Sequence, residues 1–178
     1  MNQPESVTSR SDQTDALREI LRRAERKCVR SGVRLTQLRR EILSIIASGQ
    51  KAVGAYDIIE HMGALNGRRP APIVIYRILD FLREHELIHR LEGKKAFVAC
   101  KQDHCHGRDT MFMICDECSS VTEFPAPDVL TSLRRATGNR GFRTRHRVVE
   151  IYGRCRSCRE TSSHSTPPSV APSSVTPC

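Results

Sequence analysis

Four cysteines in two pairs, Cys115-x-x-Cys118 and Cys155-x-x-Cys158, constrain this chain more than any other feature. The spacing lets one tight turn aim two sulfurs at a single tetrahedral ion, and two such pairs complete its shell. Four sulfur ligands leave no open position, so the pattern predicts a closed, structural zinc site rather than a catalytic one. The neighbours Asp116, Glu117 and Arg156 are polar, which argues against four thiols buried merely as small hydrophobes. Composition points the same way. In 178 residues there is no Trp, and aromatics make up only 4%. The second half therefore has little apolar mass to set against chain entropy, and a metal would supply the missing stability.

No secretory h-region and no run near the ~20 apolar residues of a membrane span is present. The eight cysteines are accordingly expected in a reducing cytoplasm, where paired thiols bind metal more often than they form disulfides. Residues 1–11 and 160–178, rich in Ser, Thr, Gln and Pro, read as disordered tails without membrane contact.

Between the tails the periodicity changes midway. Leu17, Ile20, Leu21, Ala24 and Cys28 form a helical stripe that Gly32 stops. Thr36 is placed to cap a second helix with Leu38, Ile42, Ile45 and Ile46 inward, and a short third helix spans about Ala55 to Met62. After Pro70 and Pro72 a fourth helix buries Ile75, Ile78, Leu79 and Leu82 and presents Tyr76, Arg77, Asp80 and Arg83. Leu87 to Leu91, the turn Glu92-Gly93-Lys94-Lys95, and Ala96 to Ala99 then read as a hairpin. Helices followed by a hairpin make a winged helix, over 12–99. A polar stretch, 100–110, separates it from a small α+β unit over 111–159. This unit has strands at Met111 to Cys115, Val121 to Phe124 and Val148 to Tyr152, and a helix from Asp128 to Ala136.

The formal charge of +9 calls for an anionic partner. Arg18, Arg22, Arg23, Arg26, Lys27, Arg30, Arg34, Arg39 and Arg40 crowd the approach to the helix-turn-helix pattern, as a nucleic-acid footprint would; a solvated helix face is the plainer alternative. A second, looser set of donors comprises His89 at the wing, Cys100 at the junction, His104 and His106 in the loop, and Glu123 in the second unit. No spacing links them, and each has an ordinary reading as a surface histidine or a buried thiol. Their location matters more, because mixed ligands at a hinge tie domain orientation to metal occupancy.

These residues resemble the ferric uptake regulator family, and within it the zinc uptake regulators, from about Asp15 to Arg159. The resemblance rests on Val33-Arg34-Leu35-Thr36-x-x-Arg39, Ala55-Tyr56-Asp57-Ile58-Ile59, Tyr76-Arg77-x-Leu79-Asp80-Phe81-Leu82, Phe112-x-Ile114-Cys115-x-x-Cys118 and Gly153-x-Cys155-x-x-Cys158. It implies an α+β chain that pairs a winged-helix reader with a C-terminal α/β dimerisation domain around the four-cysteine zinc site. It also implies a homodimer on double-stranded operator DNA, with several dimers able to share one operator. Sensory zinc ligands are implied at His89, Cys100, His106 and Glu123, with His104 as the alternative in the loop. Tyr76, Arg77, Arg34, Thr36 and Arg39 are implied on the DNA side, Glu60 and Arg77 between dimers, and His146 in a third metal site. The thiol of Cys100 favours zinc over ferrous iron. Two positions depart from the family pattern: Gln37 stands where it has proline, and Pro72-Ile73-Val74-Ile75-Tyr76-Arg77 lacks its threonine.

The expected function is a zinc-responsive, non-enzymatic repressor of zinc uptake genes. The alternatives are a relative sensing iron or manganese, or a zinc-dependent hydrolase or deaminase. The H-x-E with P-C-x-x-C signature of deaminases is missing, and no ligand triad leaves an open position beside a general base.

Overall fold

The computed structural model describes residues 10–49, 51–101, 110–143 and 149–162. The candidate ligands His104, His106 and His146 lie outside these residues, as do residues 1–9 and 163–178 of the expected tails.

The first half is built on four helices: α1 (Arg10–Arg30), α2 (Gln37–Ala47), α3 (Ala55–Asn66) and α4 (Pro72–Glu84). The apolar stripes bury as their spacing requires, with Ile42, Leu43, Ile45 and Ile46 inward on α2 and Ile75, Ile78, Leu79 and Leu82 inward on α4. Gly32 ends α1 at φ +66°, a left-handed conformation that glycine adopts without steric cost. Thr36 holds the extended N-cap conformation of α2, but its side chain makes no capping hydrogen bond. At α3 the Asp57 carboxylate accepts the Gly54 N–H at 3.0 Å and so closes the helix start. Cys28 is fully enclosed in this core, and burial pushes its thiol up.

The hairpin forms as β2 (Ile88–Leu91) and β3 (Ala96–Ala99), with Leu91 opposite Ala96 and Ile88 opposite Ala99. A two-residue strand, β1 (Val53–Gly54), adds to the other side of β3 and gives the order β1-β3-β2. Pattern reading misses β1, because alternation over two residues carries no signal.

The second sheet contains β4 (Thr110–Cys115), β5 (Val121–Pro125) and β6 (Val149–Gly153) in the order β5-β4-β6. β4 is antiparallel to β5 but parallel to β6, with α5 (Pro127–Gly138) in the crossover. The chain continues as α6 (Arg156–Ser162), so regular structure runs past Arg159 into the stretch expected as tail. A polar seven-residue helix has no apolar stripe to announce it.

All four residues of β3 are buried because the hairpin packs on both faces. Phe97 and Ala99 join the helical core. Val98 and Leu91 join Phe112, Ile114 and Val121 in a second core, with Ala52 against it. A bridge between Lys51 and Ser120 adds a backbone link between the two sheets. No described helix is long and apolar enough to cross a membrane.

Candidate functional site

Parallel pairing of β4 with β6 sets Cys115 beside Gly153, so both C-x-x-C turns emerge from the same end of the sheet. Cys115 closes β4, and Cys118 follows in a turn that Ser119 completes at φ 59°. Cys155 comes two residues after β6, and Cys158 lies in α6. The four sulfurs all lie within 4.8 Å of one another, with Cys118 Sγ 3.7 Å from Cys155 Sγ. The Cys155 N–H points at Cys115 Sγ from 3.4 Å. This donor, with the N–H groups of Cys118 and Glu117, draws the Cys115 thiol down to about 6. Hydrogen bonding to Ser120 also lowers Cys118, whereas the sulfurs around Cys158 drive it strongly up. Four thiolates this close repel one another unless a cation sits among them, and the all-sulfur set, with N–H donors turned toward it, fits tetrahedral zinc.

The second donor set draws on three strands. His89 on β2, Cys100 just after β3 and Glu123 on β5 bring a nitrogen, a sulfur and a carboxylate oxygen within 4.8 Å of one another. His89 Nε2 is buried and faces Glu123 Oε1 at 3.4 Å, yet it makes no hydrogen bond. A buried ring nitrogen aimed at a carboxylate without a bond is the arrangement that an intervening cation would satisfy. The Lys101 N–H holds Glu123 Oε2 at 3.0 Å, and Phe112 packs 5.2 Å from the His89 ring. Burial of Glu123 raises its carboxyl, but the contacts to His89 and Lys101 outweigh it and keep the group below its ordinary value. Cys100 is disulfide-bonded in this structure, so its sulfur becomes available to a metal on reduction. Cys28, Cys115, Cys118, Cys155 and Cys158 are free.

On the helical half, Tyr76 is 44% exposed and Arg77 is exposed beside it on α4, as are Ile73 and Val74 at the start of that helix. Glu60 is exposed on α3. Arg39 behaves differently from the other residues expected at DNA. Its guanidinium lies 3.4 Å over the Phe81 ring, and its Nη1 donates to Arg34 O at 2.7 Å, so it braces α2 against α4. Much of the basic block is likewise engaged internally. Arg18 pairs with Asp15, Arg26 with Glu19, and Arg40 with Glu25, while Lys27 Nζ meets Glu86 Oε2 at 2.8 Å. Among the described residues, no carboxylate pairs with Arg22, Arg30 or Arg34.

Met113 and Ile151 on the second sheet, with Val129 and Leu133 on α5 and Phe142 beyond it, are large apolar side chains left exposed. Among the described residues, no strand pairs with the outer edge of β6 beside them. Sequence reading did not single out these residues. A strand exposed on both faces was their available signal, but Val148 to Tyr152 reads as an ordinary short strand.

The model of the ferric uptake regulator family matches residues 30–152. The zinc uptake regulation protein of Escherichia coli is 33% identical over 142 residues, covering 80% of this chain and 82% of that protein. The peroxide operon regulator of Bacillus subtilis is 30% identical over 75% of this chain and 90% of its own. Among solved structures, a zinc uptake regulator complexed with zinc and DNA superposes with a TM-score of 0.77 at 31% identity, covering 83% of this chain and 97% of that one. Holo XcZur gives 0.72 at 34% identity over 80% and 98%.

Proposed function

This chain belongs to the ferric uptake regulator family, and on that premise we propose that it is a zinc-responsive repressor that binds operator DNA as a homodimer and controls zinc uptake genes. The observation that carries the reading is the His89, Cys100 and Glu123 cluster, in which two ligands from the wing meet one from the second sheet. A thiol in that set selects zinc over harder or less thiophilic ions. The relatives are regulators by name, which supports a regulator rather than an enzyme. A repressor acting on a bacterial chromosome works in the cytoplasm, where this reading places the chain.

Zinc, when bound, supplies a divalent centre that holds its ligands at fixed angles. His89 and Cys100 hold the two arms of the hairpin at its base, and Glu123 holds β5 against them. A loop histidine, His106 or else His104, completes the donor set in this reading. Gathering these groups fixes the wing, and with it α4, relative to the second sheet and hence to the partner's α4. Two recognition helices then match successive major grooves. Moving from mostly mismatched to mostly matched requires a differential affinity of about 3 to 5 kcal/mol per dimer. Tyr76 reads bases and Arg77 lies at the duplex. Arg34 and Thr36 meet the backbone at the start of α2, where Arg39 contributes by bracing the helix. Cys115, Cys118, Cys155 and Cys158 hold the second, structural zinc.

Operator binding by the reduced protein, followed across buffered series of free zinc, ferrous iron and manganese, tests the reading. Saturation with zinc at far lower free metal than with the other two is expected. Equal response to iron or manganese, or binding indifferent to metal, would overturn it.

A further inference from the structure

The wing is tied to the second sheet at its tip as well as its base. Glu150 on β6 directs its carboxylate at the hairpin turn, where Oε1 accepts the Glu92 N–H at 2.6 Å and Oε2 accepts the Gly93 N–H at 3.2 Å. Tyr152, two residues along the same face of β6, donates its hydroxyl to Glu150 Oε2 at 2.5 Å. An anion capping two successive backbone N–H groups is a charge-assisted contact with a defined direction. The turn is shaped to accept it. A Cβ built at Gly93 would collide with the Tyr152 hydroxyl and lie 3.1 Å from Glu150 Oε2. An alanine at this turn would therefore force the Tyr152 hydroxyl and the Glu150 carboxylate to shift, which disturbs the contact they make with the turn.

The placement gives the contact its consequence. β5 and β6 are the opposite edges of the β5-β4-β6 sheet. The hairpin crosses that sheet, its base at β5 through the His89, Cys100 and Glu123 cluster and its tip at β6 through Glu150. Between them, Leu91 and Val98 pack on Phe112 and Ile114 of the central strand. The base tie and this packing leave the tip of the wing without an anchor at the far edge of the sheet. A second tie at the far edge fixes its angle.

We propose that Glu150, oriented by Tyr152, is a positioning residue that latches the wing turn at Glu92 and Gly93 to the second sheet, and so sets how much zinc is needed to bring the two recognition helices into register. The latch rests on the zinc-repressor reading. It acts without touching metal or DNA, and it lowers the work left for the metal by holding the wing close to its DNA-binding angle.

Two measurements on the full-length, reduced protein test it. In zinc-saturated protein without DNA, amide exchange of the wing-turn peptide should be slow in the wild type and distinctly faster in Glu150→Gln. In operator titrations at buffered free zinc, Glu150→Gln and Gly93→Ala should each shift the zinc midpoint upward by roughly 3- to 10-fold, and Tyr152→Phe by less. Because both changes break one contact, the double variant should match the worse single variant rather than the product of the two. Unchanged exchange and an unchanged midpoint in Glu150→Gln, or multiplicative effects in the double variant, would overturn the latch. A wild type that binds DNA without regard to zinc would instead sink the underlying reading, while the exchange measurement would still report on the contact itself.

Discussion

The two halves of the molecule are stabilised in different ways. In the first, α2 and α4 each bury four apolar side chains, and these pack with α1, α3 and the hairpin into one continuous core. In the second, α5 buries only Leu130, and the core shared by the two sheets borrows Leu91 and Val98 from the wing. Met113, Val129, Leu133, Phe142 and Ile151 stay exposed there. A unit with so little enclosed apolar surface does not hold its shape by packing alone. Three outside supports are available to it: the four-cysteine site, the wing, and a second copy covering the exposed apolar residues. The contrast suits a sensor. The reading head packs around its own core, and the part that sets its orientation is held by ligands and partners, whose occupancy can change.

The sharpest way to break this contrast is to remove one sulfur. Cys118→Ser should abolish the tightly held zinc and, with it, the dimer, because metal binding and folding are one process in such a unit. Metal analysis with size-exclusion light scattering would show a zinc-poor monomer. A stable, zinc-free dimer would refute the division. In the helical half the comparable injury is a cavity. Leu43→Ala should lower stability by about 2 to 5 kcal/mol in denaturant melts and leave the zinc content alone. A strong chelator should likewise melt the second half before the first.

Smaller effects sharpen the DNA side. Arg77→Glu and Glu60→Arg, on neighbouring helices, should each weaken cooperative occupation of an operator by several dimers. The double charge swap should recover part of the loss. No recovery in gel-shift titrations would remove that pair from the account. The mildest change is Arg22→Ala on α1. If Arg22 meets phosphate, the variant should lose affinity for operator and random DNA by similar factors, and the slope of log affinity against log salt should fall by about one. A loss confined to operator DNA would make Arg22 a reader of sequence or shape.

How much the sequence disclosed depended on whether a feature is local. The stripes of α1, α2 and α4 and the turn between β2 and β3 are written in consecutive residues, and the elements form where those patterns lie. The two C-x-x-C pairs are local as well. Their convergence requires only that β4 and β6 run side by side, which the spacing of the pairs already favours. His89, Cys100 and Glu123 come from distant parts of the chain and no spacing connects them; their hinge location suggested a set, the resemblance singled them out as ligands, and the fold brings them together. The contacts that escaped notice are non-local too. The basic motif that holds Arg39 gives no sign of the Phe81 ring beneath it, and nothing local to Glu150 announces the wing turn that its carboxylate meets. β1 and α6 escaped for the opposite reason: two residues, or one short polar helix, hold too little pattern to register.

The central claim is that one set of donors holds the second half together while another, at the wing base, governs DNA binding. Cys100→Ser tests it most directly. Under reducing conditions, zinc per protomer, dimer mass and operator affinity would be measured together across a buffered free-zinc series, beside the wild type. The account predicts that the variant keeps one zinc and its dimer while its operator binding no longer rises with zinc. A variant that binds its operator with the wild-type zinc dependence, or one that loses the dimer along with Cys100, would contradict it.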